Sequence, residues 1–175
     1  AKGLRGGERF HVAKAEKLPF ESGSFDKILF LDVFEHVENE KQAIQEVRRV
    51  LKVGGTLILS VPNDFLNFMD PDELTRDLRN FVRKYIKKKP LLTHPKHRHY
   101  SAKQLENFLE GFKIQKIHCS GTMISWGLNM FYNGIALPES VSKKLRPITN
   151  PIEDWEYSLG LPTGFNLMVK ANKLS

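Results

Sequence analysis

Two apolar runs separated by a helical pattern constrain the fold of this chain most strongly. The first run, KILFLDV, covers residues 27–33, and the second, TLILSVP, covers residues 56–62. The first contains four successive apolar residues, which favours a central strand buried on both faces, as parallel sheets require. Apolar residues with helical spacing mark one face of the segment between the runs: Val37, Ile44, Val47 and Leu51. Strand, helix and strand in this order predict a βαβ unit with a right-handed crossover.

Short breaker and strand signals surround this unit. Gly54–Gly55 is predicted to end the helix, because glycine adopts the left-handed conformation that follows a helix at low cost. Arg9–Ala13 (RFHVA) is a further strand candidate. It leads into a loop over residues 14–25 that contains Pro19 and Gly23.

Beyond Pro62 the pattern becomes mainly helical. Residues 63–72 are predicted to form an apolar loop, and a helical stripe then runs from Leu74 to Ile86 until Pro90 stops it. Ser101 with Gln104 has the spacing of a capping box, and the short helix that it opens should end at Gly111. Two further strands are predicted over Phe112–Cys119 and Phe165–Asn172, with a poorly patterned stretch between them.

Composition indicates a single globular domain over residues 1–175, with 41% apolar and 27% charged residues. No run approaches the roughly 20 apolar residues of a membrane span, and no secretory signal pattern opens the chain. Cys119 is the single cysteine, which excludes an internal disulfide and a C-x-x-C site. A cytoplasmic setting is therefore expected.

Positive charge is concentrated in one segment of the chain. Residues 76–103 contain ten Lys or Arg and one acid, Asp77. The net charge of this segment is therefore +9, whereas that of the whole chain is +7. The rest of the chain has 17 basic and 19 acidic residues, or −2. The basicity is a local feature and not a property of the whole fold.

Five sequence fragments occur in a fixed order between residues 15 and 63: A-E-K-L-P-F, S-F-D, E-H-V, E-V-R-R-V-L-K-x-G-G and S-V-P-N. In this order and spacing they closely resemble the class I S-adenosylmethionine-dependent methyltransferases that modify small molecules, quinones and lipids. A looser resemblance covers residues 97–172, through H-R-H-Y-S-A-K-Q-L and G-F-K-I. The fold that the resemblance implies is α/β, a partial doubly wound Rossmann-like sheet with helices on both faces. Residues 63–100 and 120–160 correspond to the variable segments in which that family carries its substrate specificity.

The resemblance also implies which residues would bind S-adenosylmethionine. Ala15, through its backbone N–H, and Glu16 would flank the adenine, although the family often has Asp where this chain has Lys14. Leu31 would direct its carbonyl towards the methionine part of the cofactor, and Asp32 follows it at the end of the strand.

The spacing Asp32-x-x-Glu35-His36 resembles a cluster with which some quinone O-methyltransferases hold a divalent cation. E-H-V also occurs in relatives that need no metal, where the acid favours the positive end of the helix dipole. We therefore assign no metal, and we take His36 as the candidate catalytic residue. It would serve as a general base or as a polar wall beside the sulfonium.

Methyl transfer from a sulfonium to an O, N or C atom requires chiefly that nucleophile, methyl carbon and sulfur are in line. A base is needed only when the nucleophile is a hydroxyl or an acidic carbon, so the lack of a catalytic triad does not oppose this function. The family's glycine-rich first motif is expected upstream of this sequence. Without its neighbouring strands, KILFLDV would form an exposed apolar edge. The alternative is therefore an incomplete or non-catalytic domain that needs an upstream segment or a partner.

Three interpretations of the basic segment remain open. It is a solvated helix face, or a surface on anionic lipid through Arg83–Lys89, or a contact with nucleic acid. An anionic bilayer would suit a lipid or quinone substrate, because the apolar loop Phe65–Met69 would lie close to it. Nucleic acid is disfavoured, since Ser60–Asn63 is not the N-P-P-Y motif of base-amino methyltransferases.

Overall fold

The computed structural model describes residues 10–64, 80–81, 84–85, 98–121, 123–129, 131–132, 139–159 and 164–175. The named elements within these ranges are four strands and four α-helices, with a short 3₁₀ turn over Phe34–His36. The strands are β1 (Phe25–Leu31), β2 (Leu51–Pro62), β3 (Phe112–Ser120) and β4 (Asn166–Lys173). The helices are α1 (Glu40–Val50), α2 (Ala102–Phe108), α3 (Met123–Asn129) and α4 (Glu139–Ser158).

The strands form one mixed sheet in the order β1-β2-β4-β3. β1 and β2 are parallel and joined through α1, which confirms the predicted βαβ unit. β4 lies antiparallel to both β2 and β3. The carboxyl ends of β1 and β2 therefore lie side by side, with Leu31 opposite Ser60.

One face of the sheet carries the hydrophobic core beneath α1 and α2. Alternate residues of β2 and β4 point to this face, and each is almost fully buried: Leu57, Leu59, Val61, Leu167, Val169 and Ala171. Ile44 and Val47 of α1 and Leu105 of α2 pack against them. These helices bury one apolar stripe each, as amphipathic helices on a sheet do.

On the other face the described helices contact the sheet at its β3 edge. His118 of β3 donates from Nε2 to the carbonyl oxygen of Tyr157 near the end of α4, at 3.2 Å. Leu29 and Leu31 of β1 remain 65% and 43% exposed. The prediction that KILFLDV is buried on both faces is thus wrong for this chain, because β1 is an edge strand whose outer face is not covered by the described residues.

The predicted strand Arg9–Ala13 is wrong over its described part, residues 10–13, which have no strand conformation. Phe10 and Val12 are 74% and 107% exposed. A strand needs a neighbour that satisfies its backbone groups. No described strand pairs with this segment, so its backbone groups form no β-ladder with the described strands.

The predicted helix end at Gly54–Gly55 is also wrong. α1 ends at Val50, and the N–H of Leu51 donates to the carbonyl of Val47 as β2 begins. Both glycines lie inside β2, where the pairing with β1 shifts register between Phe25 and Lys27. Gly54 has φ +74, so the conformational freedom of glycine serves a strand irregularity instead of a helix cap.

The capping box at Ser101 is confirmed, with the Ser101 side chain accepting from the Gln104 N–H and Gln104 returning the bond. Both later strands are confirmed as β3 and β4. In contrast, the stretch between them contains α4, a helix of 20 residues that sequence patterning missed. Pro147 and Pro151 lie inside it. Because proline is unfavourable inside a helix, the sequence did not predict a helix here. Its apolar residues also form no buried stripe, since Ile148 is 67% exposed.

The predicted helix between Leu74 and Ile86 lies mostly outside the described residues, as does the apolar loop 65–72. Asn80, Phe81, Lys84 and Tyr85 are described and are helical. None of the helices in the described ranges is long and apolar enough to span a bilayer.

An ion pair on α1 holds the loop that precedes β1. Glu46 accepts from the backbone N–H of Leu18 at 2.9 Å and from Arg49 at 2.7 Å. Arg49 in turn donates to the carbonyl oxygens of Leu18 and Phe20. The Arg49 guanidinium and the Leu18 N–H lower the pKa of Glu46 to about 2. One ion pair therefore anchors residues 18–20 to the helix.

Replacing Glu46 by Gln should make the free energy of unfolding less dependent on pH in the acid range. Because the folded-state pKa of Glu46 is about 2 and its ordinary value is 4.5, its contribution is complete above about pH 4.5 and disappears as pH falls towards 2. We expect the variant to lose on the order of 1 kcal/mol of unfolding free energy at pH 7, since the pair is partly exposed. Urea unfolding at several pH values measures both effects. Glu21→Gln, in the exposed part of the same loop, is the control and should leave the pH profile unchanged.

Candidate functional site

The candidate site lies where β1 ends. Phe34, two residues beyond Asp32, is fully buried and contacts the rings of Phe30, Tyr100 and Phe108, with centroids 6.0, 5.2 and 5.4 Å away. The chain therefore turns sharply from the strand into the 3₁₀ turn that carries Glu35 and His36. This turn places His36 at the carboxyl edge of the parallel strands, where open α/β sheets bind ligands.

Asp32 is held at this edge in an unusual backbone conformation. Its φ is +50, which Asp tolerates better than most residues but at some cost in energy. Its N–H donates to the carbonyl of Ser60 at 3.1 Å, and its Oδ1 accepts from the Ser60 hydroxyl at 2.7 Å. Sequence reasoning missed Ser60. The signal was available, because the carboxyl ends of two parallel strands that are joined in a βαβ unit lie at the same edge of the sheet.

A cavity of about 220 Å³ lies beside the 3₁₀ turn. It is lined by Lys14, Ala15, Glu16, Val33, His36, Val37 and Glu38. Three residues that the family resemblance predicted for the site, Ala15, Glu16 and His36, thus line one cavity. Leu31 and Asp32 lie at the strand end next to it and do not line it. A larger groove of about 750 Å³ between α1 and α2 contains none of the predicted residues.

Glu16 ties the loop to the start of α1. Its Oε1 accepts from the backbone N–H groups of Glu38 at 2.8 Å and Asn39 at 3.2 Å. Its own backbone N–H and those of Asn39 and Glu38 hold the pKa of Glu16 below its ordinary value. The carboxylate therefore has a structural role, in closing one side of the cavity, that the sequence did not indicate.

Lys14 lies at the rim of the same cavity. Its Nζ forms an exposed ion pair with Glu38 Oε2 at 3.2 Å. The residue at which this chain departs from the family pattern thus contacts the segment before α1. Both ends of the short loop 14–16 are bonded to residues 38–39.

His36 presents a partly exposed imidazole to the cavity, with 41% of its side chain accessible. Its Nε2 lies 3.8 Å from Oε1 of Glu35, whose side chain is only 3% exposed. The two roles predicted for His36, a general base and a polar wall, stay predictions. In the described ranges no group of three His, Cys, Asp or Glu side chains is placed to hold a metal ion. Asp32 bonds to Ser60 instead of converging with Glu35 and His36.

Arg98 and Tyr100 fasten the segment after residue 97 to the same turn. Arg98 donates to the carbonyl of Val37 and to the carboxylate of Glu40. Tyr100 donates to Glu40 Oε1 at 3.2 Å, and burial together with Glu40 raises the pKa of Tyr100. Although burial acts in the opposite direction, the Arg98 guanidinium lowers the pKa of Glu40. Sequence reasoning attributed no role to this clamp, whose partners lie about 60 residues apart in the chain.

Removing the Glu16 carboxylate should loosen the loop at the cavity. In Glu16→Ala, the N–H groups of Glu38 and Asn39 lose their acceptor, so we expect faster hydrogen exchange at these two amides. Glu16→Gln keeps a side-chain oxygen and should retain most of the protection. Exchange followed by NMR or mass spectrometry measures the difference. Glu38→Gln removes only the exposed pair with Lys14 and is the matched control. Equal exchange rates at these two amides in Glu16→Ala and in the unmodified chain would show that Glu16 does not protect them.

Comparisons with known proteins give matches to methyltransferases. Residues 1–59 match the family described as "Methyltransferase domain". The ubiquinone/menaquinone biosynthesis C-methyltransferase UbiE of Stutzerimonas stutzeri is 41% identical over 58 residues, which cover 33% of this chain and 23% of UbiE. The chain spans only 24–49% of the length of the first curated relatives that it matches.

Solved structures share the fold. An S-adenosylmethionine-dependent methyltransferase from Methanosarcina mazei has a TM-score of 0.57 at 20% identity, covering 99% of this chain and 70% of that protein. The [4+2]-cyclase SpnF also has a TM-score of 0.57, at 18% identity, and covers 94% of this chain and 56% of SpnF. At these identities the likeness concerns the fold alone.

Proposed function

We infer that this chain, which belongs to the class I S-adenosylmethionine-dependent methyltransferases, forms part of an enzyme that methylates a small molecule or lipid. The observation that carries this proposal is the grouping of Ala15, Glu16 and His36 around one cavity at the carboxyl edge of β1. This edge is formed by the ends of β1 and β2, which include parts of the S-F-D and S-V-P-N fragments.

The residues of the cavity fit part of the cofactor. Val33, Val37 and Ala15 give it an apolar lining, while backbone groups of the loop 14–16 and the His36 imidazole supply polar atoms at its rim. Its volume of about 220 Å³ is below the 300–1,000 Å³ of typical ligand pockets, so it accommodates a group of nucleobase size and not a whole nucleoside conjugate. Ala15 and Glu16 would hold the adenine, and Leu31 and Asp32 would follow the methionine part.

When bound, S-adenosylmethionine supplies an electrophilic methyl group on a sulfonium. The contribution of the chain is to orient the reactants and to exclude water. The tie of Glu16 to α1 and the bond from Ser60 to Asp32 keep the two sides of the edge in place. His36 would accept a proton if the accepting atom is a hydroxyl or an acidic carbon.

A small molecule or lipid is the proposed substrate class because the best-matching fragments resemble enzymes of that kind. UbiE, a ubiquinone/menaquinone biosynthesis C-methyltransferase, is one example. The match to UbiE covers only 33% of this chain, so it supports the reaction more strongly than the acceptor. The cyclase SpnF shares the fold, which keeps a non-methylating function as the second candidate.

Contact with an anionic membrane is proposed for the basic segment. Phe81 and Tyr85 are 56% and 61% exposed, and their ring centroids lie 4.9 Å apart. Lys84 Nζ lies 5.0 Å from the centroid of the Tyr85 ring. Exposed aromatic rings beside cations are typical of surfaces that rest at a lipid interface. The surrounding sequence, with its local charge of +9, would complement anionic headgroups.

Cofactor binding can be tested without knowing the acceptor. Isothermal titration of the full-length protein with S-adenosylhomocysteine should give a Kd in the micromolar range, since nucleoside cofactors reach such affinities in preformed pockets. His36→Ala should weaken this binding by about tenfold if the imidazole forms a wall of the site. His118→Gln, on the β3 edge, is the control. Absence of binding to the unmodified protein would contradict the proposed function.

Membrane contact can be tested by sedimentation with vesicles. Vesicles with 30% phosphatidylserine, or about one anionic lipid in three, should bind the protein at low salt and release it as salt rises. Phe81→Ala with Tyr85→Ala, and separately Lys84→Gln with Lys87→Gln, should each weaken binding severalfold. The matched controls are Ile148→Ala and Lys144→Gln, an exposed apolar residue and an exposed lysine of α4. No binding, salt-insensitive binding, or binding to RNA in place of vesicles would contradict the proposal.

A further inference from the structure

α4 carries an apolar stripe that faces away from the described core. Its six residues follow one another at alternating spacings of four and three positions, which places them along one face of a helix. Five of them are 39–67% exposed, and Leu145 is partly buried. Continuous exposed apolar surface of this kind marks an interaction site. The stripe consists of Val141, Leu145, Ile148, Ile152, Trp155 and Leu159, the last of which lies one residue beyond the end of the helix.

A different face of α4 contacts the rest of the described chain. Glu156 is buried and accepts from two backbone N–H groups at the start of α3, at 3.1 and 2.9 Å. The hydroxyls of Thr149 and Tyr132 form a hydrogen bond of 2.6 Å. Glu156 and Thr149 lie roughly 80–100° around the helix from Ile148, at 3.6 residues per turn. The helix is therefore held on one side, while the stripe on the adjacent side is not covered by the described residues.

The two halves of α4 carry opposite charge. Residues 139–148 contain three bases and one acid, a net charge of +2, and residues 149–158 contain three acids and no base, a net charge of −3. Two such helices attract each other in the antiparallel direction, because the basic half of each then lies beside the acidic half of the other. Their helix dipoles also favour this direction. The bases are Lys143, Lys144 and Arg146, and the acids are Glu139, Glu153, Asp154 and Glu156.

An antiparallel pair also brings the two stripes into register. If residue 150 of one copy lies opposite residue 150 of the other, apolar residues face one another along about 27 Å of helix, at 1.5 Å per residue. One surface thus meets both requirements of a two-fold symmetric contact, an apolar match with itself and opposite charge at its two ends. The facing pairs, each of which occurs twice, are Ile148 with Ile152, Leu145 with Trp155, and Val141 with Leu159.

We propose that two copies of this chain associate through antiparallel packing of their α4 helices. The occupant of the stripe is a second copy of the same helix. This interface goes beyond the proposed function, since it uses none of the residues at the cavity beside the 3₁₀ turn or at the end of β1. One helix face per copy makes a small interface, so we expect a dissociation constant in the micromolar range.

The first test measures association of the full-length protein by sedimentation velocity, at concentrations that span the micromolar range. The unmodified protein should change from monomer to dimer as its concentration rises. Ile148→Glu places a charge near the centre of each stripe and should raise the dissociation constant of the dimer at least about tenfold. Val53→Glu is the matched control and should not change it. Val53 is 68% exposed, against 67% for Ile148, but lies near the start of β2.

The direction of packing is tested by charge reversal and rescue. Lys143→Glu with Lys144→Glu makes both halves of α4 acidic, whereas Glu153→Lys with Asp154→Lys makes both halves basic. Each double variant should associate with itself at least about tenfold more weakly than the unmodified protein. An equimolar mixture of the two should regain most of the lost affinity, because an acidic helix then meets a basic one. A variant that had only lost its fold would not be rescued.

Three results would overturn the proposal. The first is a protein that stays monomeric at every concentration, including one that loses vesicle binding in Trp155→Ala, because the stripe would then contact lipid. The second is equal association of Ile148→Glu and Val53→Glu. The third is tighter self-association of the variant with two new lysines, because a parallel pair would be relieved of the repulsion between its acidic halves. Binding of S-adenosylhomocysteine is measured separately, so a failure of the proposed function is distinguishable from each of these results.

Discussion

The burial of Phe34 is the constraint on which the geometry of the site depends. Its ring is fully buried and meets Phe30 from β1, Tyr100 from the segment before α2, and Phe108 from α2. Burying a phenylalanine side chain contributes about 1.5–3 kcal/mol, which is comparable with the cost of about 1–3 kcal/mol for a strained backbone residue. The positive φ of Asp32 is therefore tolerated, because the core holds Phe34 in place and Ser60 forms hydrogen bonds with the strained residue.

α1 connects this core to the remaining parts of the site. Near its start, the backbone N–H groups of residues 38 and 39 bind Glu16, and Glu40 binds the segment that contains Arg98 and Tyr100. Further along, Glu46 and Arg49 bind the loop before β1. Two segments that are distant in sequence, residues 16–20 and 98–100, are thus attached to one rigid element, which is how a site built mostly from loops obtains a defined shape.

Sequence patterns predicted the parts of the fold whose signals are local. The βαβ unit, the capping box at Ser101 and the strands β3 and β4 follow from apolar runs and from hydrogen bonds between residues three apart. α4 could not be predicted in this way, since Pro147 and Pro151 interrupt its pattern and its apolar residues remain exposed. The segment 10–13 has a strand pattern, but strand formation depends on a partner that the pattern does not reveal.

The candidate site shows the same division. Ala15, Glu16 and His36 were identified from their resemblance to a family, and the structure brings them to one cavity. Ser60, Arg98 and the structural role of Glu16 were not found, because each depends on contacts between residues 22–61 positions apart. Such contacts follow from strand order and from the path of the chain, which spacing within a single segment does not encode.

The strand order has a consequence for how the chain is made. β4 lies between β2 and β3 in the sheet, although it follows both in sequence. Asn172 of β4 also donates to the carbonyl oxygen of Gly54 at 3.1 Å and to Thr56 Oγ1 at 3.1 Å, across more than 110 residues. During synthesis the βαβ unit can therefore form early, but β3 has no neighbour and the irregular start of β2 has no support until β4 emerges from the ribosome. For that interval the nascent chain exposes the edges of two strands, which makes this a period in which a chaperone would be of most use.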